Sequence, residues 1–138
     1  MKDIQNQLKM HEGFRKYPYR DSEGYMTIGY GWNLEAKGLP RDIALILLKR
    51  EIKRIKKELD RYDWYLALSP VRRKVIIDMS YNLGVDGMLG FKKMVAAIKE
   101  KDYEKAADEM LDSLWADQVG ERADRLAKMM RTNKDYKE

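Results

Sequence analysis

The chain of 138 residues suits one domain of ordinary size, or two small lobes that share a helix. Hydrophobic residues make up 44% and charged residues 37%, which is too apolar for a disordered polyelectrolyte and too polar for a membrane protein. There is no cysteine and a single histidine, His11, so disulfides, thiolate chemistry and a histidine-rich metal site are excluded. Any chemistry must come from carboxylates, hydroxyls, amides or arginines.

Residues 40–57 contain seven Lys and Arg but only two acidic residues. Their net charge of +5 therefore equals the net charge of the whole chain. Such a run is most often a solvated helix face, but it can also attract an acidic polymer such as cell wall or nucleic acid. The N-terminus lacks the apolar segment of a signal peptide, and no window reaches the length of a membrane span. We therefore expect no stable membrane association.

The first predicted helix covers residues 3–12, because Asp3 is a suitable N-cap, Ile4 and Leu8 share a face, and Gly13 can end it. From residue 17 to residue 34 the hydrophobic period changes to two around a turn, which predicts a hairpin and a third strand. In the second strand this parity predicts a core-facing set of Met26, Ile28 and Tyr30. The opposite, open face carries Thr27, Gly29 and Gly31.

After Leu39 the pattern is helical, and the fold class is therefore α+β, mostly α. A long helix over 40–62 has one apolar stripe, and a central helix begins at Ser69-Pro70 and ends at Gly84. Further helices are predicted at about 88–100, 102–116 and 120–131.

Two carboxyl groups in the first part of the chain suggest acid/base chemistry. Glu12 lies at a helix C-terminus, where the negative end of the helix dipole and partial burial disfavour its ionised form. Asp21 opens a polar turn whose amides and water can stabilise a charge. Glycoside hydrolysis requires such a pair, one group to protonate the leaving oxygen and the other to activate water or attack carbon.

Several segments resemble the phage lysozymes of glycoside hydrolase family 24. The N-terminal signature comprises His11-Glu12-Gly13-Phe14 and the run from Tyr19 to Gly31. Downstream, Ser69 to Gly84 is similar to the family's central helix, Gly87 to Phe91 to its glycine-bounded turn, and Trp115 to Arg125 to its Trp-x-x-Gln-x-x-x-Arg-x-x-Arg segment. The resemblance thus covers nearly the whole chain.

The resemblance implies a single lysozyme domain over 1–138 with two lobes. The first helix, 1–12, packs on the C-terminal lobe, 13–39 forms the β lobe, 40–62 the connecting helix and 63–138 the helical lobe. It also implies an endolysin that cleaves the β-1,4 bond between N-acetylmuramic acid and N-acetylglucosamine in peptidoglycan. The catalytic residues it implies are Glu12, Asp21 and Thr27, in an inverting mechanism without cofactor or metal.

The resemblance also implies a monomer that binds peptidoglycan and no nucleic acid. It would wait in the cytoplasm of an infected host cell and act on the wall after the membrane is permeabilised. The substrate-binding residues carried over in this way are Gly29, Gly31, Trp32, Asn82, Phe91, Gln118 and Arg122. Arg122 matches an arginine that holds the family's catalytic glutamate.

Two departures concern the first lobe. Trp32 stands where the family often has a histidine, so its ring is either an apolar plug or a platform for sugar. The segment 33–39 is shorter than usual, which reduces the lobe. In addition, Asn82 replaces a longer amide.

Two rival functions stay open at this point. A lytic transglycosylase needs an acid glutamate but no base aspartate, and the Asp21 and Thr27 spacing argues against it. A basic module that binds cell wall or nucleic acid without catalysis leaves the glycine and threonine face unexplained, and no nucleic-acid motif is present.

Overall fold

The computed structural model describes residues 2–136. The chain divides into two compact units, Met1–Leu47 and Leu48–Glu138, and the boundary falls inside a long helix. Helices predominate, and three short strands form an antiparallel sheet in the order β1-β2-β3. The predicted α+β class is confirmed, whereas the packing of residues 1–12 on a helical lobe stays a prediction. No helix within residues 2–136 is long and apolar enough to cross a membrane.

The N-terminal unit contains the sheet and two short helical segments. Its elements are α1 (Lys2–Glu12), β1 (Arg15–Arg20), β2 (Met26–Gly29), β3 (Trp32–Asn33) and α2 (Leu34–Lys37). Helix α1 ends as predicted, because Gly13 adopts a left-handed φ of 67° and its N–H donates to the Lys9 carbonyl at 2.9 Å. The chain can then turn directly into β1.

Strand β1 carries an irregularity that shortens it. Arg15 pairs with Gly29 and Tyr19 with Thr27, so four steps along β1 match two steps along β2. Pro18 lies in this stretch, where a residue without an N–H is tolerated because the ladder is interrupted. The register therefore advances only about 7 Å between Arg15 and Tyr19, about half the span of a regular strand.

The predicted parity of β2 is wrong. Thr27 is 3% exposed, whereas Tyr30 is 50% exposed and Met26 and Ile28 are only half-buried. Strand β2 is central, and Thr27 has paired neighbours on both sides, Tyr19 and Asn33. Their side chains flank it on the same face.

Helix α3 (Arg41–Leu59) crosses the boundary between the units and ends one turn before the predicted position. Its C-terminal part is anchored by Ile55 and Leu59, both 0% exposed. The remaining elements are α4 (Asp63–Leu66), α5 (Pro70–Leu89), α6 (Lys92–Lys99), α7 (Tyr103–Leu111), α8 (Leu114–Val119) and α9 (Glu121–Thr132).

The C-terminal unit is built around α5. Ser69 caps this helix by accepting the Arg72 N–H, and Pro70 occupies its first turn, as the sequence predicts. Gly84 leaves the helical conformation, with φ of 78°, and so divides α5 into a long and a short part. Helices α6, α7, α8 and α9 contribute further side chains to the core. Its fully buried residues include Met79 of α5, Met94 of α6, Met110 of α7 and Met130 of α9, all 0% exposed.

One predicted helix is in fact two. The segment 102–116 breaks between α7 and α8, because Asp112 leaves the helical region and the Ser113 hydroxyl oxygen accepts the Ala116 N–H at 3.1 Å to begin α8. A side chain of this kind competes with the helix interior for backbone partners.

Candidate active site

Glu12 is the last residue of α1, and its carboxyl group lies against the backbone of Gly31. A Cβ built on Gly31 would stand 2.7 Å from the Glu12 Cδ and closer still to Oε2. Gly31 also has a left-handed φ of 67°. Only glycine meets both conditions without strain. Glu12 itself is exposed, so the partial burial expected from sequence is not found.

Asp21 organises the turn between β1 and β2. Its Oδ1 accepts the backbone N–H of Glu23 at 2.9 Å and of Tyr25 at 2.8 Å. Its own N–H donates to the Tyr25 carbonyl at 2.9 Å. Within residues 2–136 no hydrogen bond reaches Oδ2. One carboxylate oxygen therefore fixes the side chain, while the other is left to a water or ligand.

Thr27 is tied to the same turn. Its hydroxyl donates to the Tyr25 carbonyl at 2.9 Å, and this carbonyl also accepts the Asp21 N–H at 2.9 Å. Because a hydroxyl has one proton, Oγ1 retains only acceptor capacity for further partners. The backbone of Tyr25 thus holds Asp21 and Thr27 together, a role that the side-chain pattern did not indicate.

The β1 irregularity governs how far apart the two carboxyl groups stand along the sheet. Glu12 precedes β1 and Asp21 follows it, and Arg15 pairs with Gly29 beside the turn that contains Gly31. Since β1 gains only about 7 Å between Arg15 and Tyr19, the ends of the strand come closer than a regular six-residue strand allows.

A further acidic residue, Glu35 in α2, braces this hairpin. Its Oε1 accepts the Met26 N–H at 3.0 Å and lies 3.4 Å from a guanidinium nitrogen of Arg20. Arg20 also donates to the Gly24 carbonyl at 3.0 Å. Sequence reasoning did not single out Glu35, because its partners, the Met26 N–H and the Arg20 guanidinium, lie nine and 15 residues away and no motif marks such contacts.

Trp32 is held by its own segment. Its ring Nε1 donates to the Gly38 carbonyl at 2.8 Å, and the Lys37 ammonium lies 4.9 Å from the ring centroid. The ring is 36% exposed. These contacts fix the indole at the end of β3 without assigning it to plug or platform. Gly29, with φ of 67°, pairs with Arg15 at the end of β2.

The other four predicted binding residues belong to the C-terminal unit. Asn82 accepts the Trp115 Nε1–H at 2.8 Å, and Phe91 packs edge-on against the same indole with centroids 5.8 Å apart. Trp115 therefore joins two of them. Gln118 is exposed on α8.

Arg122 is engaged by Asp78 within the C-terminal unit. Its Nε donates to the Asp78 carboxylate at 2.8 Å, and a terminal nitrogen lies 2.7 Å from the same oxygen. A second bond of 3.2 Å reaches the Asp78 carbonyl. The guanidinium thus has a local anionic partner that the sequence pattern did not indicate.

Comparisons with known proteins agree on one family. The phage lysozyme family model matches residues 9–134. Probable T4-type lysozyme 1 of Dictyostelium discoideum is 28% identical, with 94% of each chain covered. Probable T4-type lysozyme 2 of the same organism is 27% identical, covering 97% of this chain and 98% of the relative. The pre-baseplate central spike protein Gp5 of Enterobacteria phage T4 is 28% identical, covering 91% of this chain but 27% of the spike protein.

Proposed function

Because the chain belongs to the phage lysozyme family, we propose that it cleaves the β-1,4 bond between N-acetylmuramic acid and N-acetylglucosamine with Glu12 as acid and Asp21 as base. The family membership makes it a lysozyme, a glycoside hydrolase whose substrate is peptidoglycan. The arrangement around the β1–β2 hairpin is the observation that supports the residue roles. It combines an exposed glutamate at a helix end with an anchored aspartate that keeps one oxygen available.

In the proposed reaction Glu12 donates its proton to the glycosidic oxygen as the bond from that oxygen to the anomeric carbon breaks. The position of its carboxyl group at the C-terminus of α1 and over Gly31 supports this role. The glycine backbone leaves space beside the carboxyl group that a side chain would fill.

Asp21 then takes a proton from a water that attacks the anomeric carbon from the opposite face. Its Oδ1 is occupied by two backbone N–H groups, so Oδ2 carries the base function. Thr27 accepts a hydrogen bond from the same water through Oγ1, since its own proton is committed to the Tyr25 carbonyl.

A water between base and sugar requires separated carboxyl groups, roughly 6.5 to 9.5 Å apart in inverting enzymes and about 5 Å in retaining ones. The chain's family membership supports the inverting course, in which a water stands between Asp21 and the sugar. The seven predicted binding residues from Gly29 to Arg122 remain proposals for contacts with the glycan.

The wider role proposed is that of an endolysin. The protein would degrade the wall of a bacterial host cell and cause its lysis after the membrane is opened. It would act as a monomer, from the cytoplasmic side, without nucleic acid, cofactor or metal.

Product analysis tests the reaction directly. Purified peptidoglycan is digested with wild type, Glu12→Gln and Asp21→Asn, and the released fragments are identified by mass spectrometry. Hydrolysis gives reducing N-acetylmuramic ends with wild type and almost none with either variant. Anhydro ends would instead identify a lytic transglycosylase, and undiminished hydrolysis by Glu12→Gln would refute the proposed acid.

A further inference from the structure

Helix α3 carries cationic side chains of two kinds, those that form an ion pair with a carboxylate and those that do not. Arg54 donates to Glu51 at 2.8 Å and to Glu58 at 3.1 Å, so its charge is balanced on the helix. The hydrogen bond from Arg54 lowers the pKa of the Glu51 carboxyl group. A solvated helix face is expected to show such pairs.

Four lysines of α3 differ from Arg54. They line a single groove of about 490 Å³ together with Ile52 and Asp60. These lysines are Lys49, Lys53, Lys56 and Lys57. All four are exposed, and within residues 2–136 none has a carboxylate oxygen within the 4.0 Å of an ion pair. Asp60 offsets one of the four charges, so the groove is strongly cationic.

The lysines repeat along the helix axis. Their successive spacings of four, three and one residue, eight from first to last, place them on one side of α3 over about 12 Å. Lys56 also borders a second groove of about 470 Å³ that contains Ile52 and Lys74. Lys74 is itself paired with Asp135 at 2.6 Å, so the unpaired charge belongs to the α3 side. The surface thus suits a linear partner with several negative charges.

We propose that the groove formed by Lys49, Lys53, Lys56 and Lys57 binds a phosphodiester chain of the bacterial wall and holds the enzyme on its substrate. The surface follows from the charges alone, while the choice of a wall polymer rests on the proposed function. Lysine ammonium groups are compact point charges on flexible stems, so four of them in a row can follow the phosphates of a flexible phosphodiester chain.

The lining of the groove disfavours two other polyanions. Proteins that bind single-stranded nucleic acid offer aromatic rings on which bases stack, and no aromatic residue lines this groove. Helices that lie on membranes insert a broad apolar face, and Ile52 is the one apolar residue among the lining side chains.

The test measures binding of synthetic poly(glycerol phosphate) to the full chain over a range of salt concentrations. The variant is K49Q/K53Q/K57Q. Its control, K99Q/K105Q/K128Q, removes three charges from exposed lysines of α6, α7 and α9 and leaves the net charge equal. At roughly fivefold per neutralised lysine, the variant should bind about a hundredfold more weakly at low salt. The control should bind nearly as wild type, and the variant's salt dependence should flatten by about 0.7 to 0.9 per lost contact.

Three outcomes would overturn the proposal. Equal weakening by variant and control would mean that only net charge matters. Tighter binding of an oligonucleotide or of anionic vesicles than of poly(glycerol phosphate), with the same lysine dependence, would identify another partner. Absence of binding to poly(glycerol phosphate) by wild type at low salt would exclude the site. Cleavage of short peptidoglycan glycan oligomers that carry no phosphodiester polymer, measured in parallel, should be unchanged in both variants. If wild type did not cleave these oligomers, the result would instead count against the proposed function.

Discussion

Gly31→Ala tests whether the contact between Gly31 and Glu12 positions the acid. The new Cβ would lie 2.7 Å from the Glu12 Cδ, while ordinary contacts begin at 3.4 Å. The Glu12 carboxyl is the end of a flexible side chain, so it will swing away by about 1 Å rather than displace the backbone. A misplacement of that size costs about 100-fold in rate.

The effect of Gly31→Ala on the free energy of unfolding is separate from its effect on the rate, and it is small. Alanine at a φ of 67° carries left-handed backbone strain of about 1 to 2 kcal/mol, which lowers the melting temperature by several degrees. Gly38→Ala is a control for backbone strain alone, because Gly38 combines a φ of 64° with a ψ of −165°, a conformation that alanine also avoids, and its added Cβ would meet no atom within 4 Å. It carries strain without touching Glu12.

The assay compares kcat on solubilised peptidoglycan glycan with thermal melts for wild type and both variants. We expect both to lose stability and only Gly31→Ala to lose about 100-fold in kcat. Equal kcat for the two glycine variants would refute the reasoning, since the loss would then follow from strain and not from the carboxyl position.

Four further predictions follow from the same contacts. Asp21→Asn should keep its melting temperature, because the amide oxygen still accepts the two backbone N–H groups, and should lose about 10² to 10⁴ in kcat; a near-normal rate argues against the base. Thr27→Val should cost about 1 kcal/mol in urea unfolding through the lost bond to Tyr25 and should also reduce kcat, so an active variant removes Thr27 from the mechanism. Glu35→Ala should cost about 1 kcal/mol, measured in the same way, because it leaves the Met26 N–H without its partner; unchanged stability would contradict the brace. Arg54→Gln should lower the melting temperature at pH 7, and this difference should disappear on acidification, because the Arg54 hydrogen bond holds the folded-state pKa of Glu51 below its ordinary 4.5. The pair's contribution is complete above the unfolded pKa and is lost as the pH falls through the folded one, so a difference that does not change with pH would exclude the pair as its cause.

Local signals were sufficient for the boundaries that a single residue determines. Gly13 ends α1, Ser69-Pro70 begins α5 and Gly84 interrupts it, all as the sequence indicates. Each of these boundaries depends on one backbone conformation or one capping side chain. A few neighbouring residues are therefore enough to predict it.

Two features that the sequence did not predict are the burial of Thr27 and the break between α7 and α8. The alternation of β2 placed Thr27 on an open face, but its burial depends on being in the central strand between Tyr19 and Asn33. Ser113 divided a helix that its neighbours' periodicity made continuous. The partners of Thr27 lie on other strands, whereas Ser113 acts locally by accepting the Ala116 N–H, a cap that the hydrophobic periodicity does not reveal.

In the candidate site, too, some features were predictable from the sequence and others were not. The carboxyl groups were recognisable by residue type and spacing, and the resemblance assigned their roles. The groups that hold them, the Tyr25 backbone, Glu35 and the Gly31 contact, appear only in three dimensions. The Asp78 pair with Arg122 was likewise hidden, because the two residues are 44 positions apart.

In the proposed reaction, Glu12 and Asp21 hydrolyse the glycan by a single displacement, in which water attacks the anomeric carbon. The most direct measurement is ¹H NMR of the fresh reducing end during rapid digestion of uncross-linked peptidoglycan glycan, before mutarotation. We expect the new N-acetylmuramic end to appear first as the α anomer, because water attacks opposite the departing β-linked sugar. First appearance of the β anomer, or of an anhydro end whose anomeric carbon has no free hydroxyl, would contradict it.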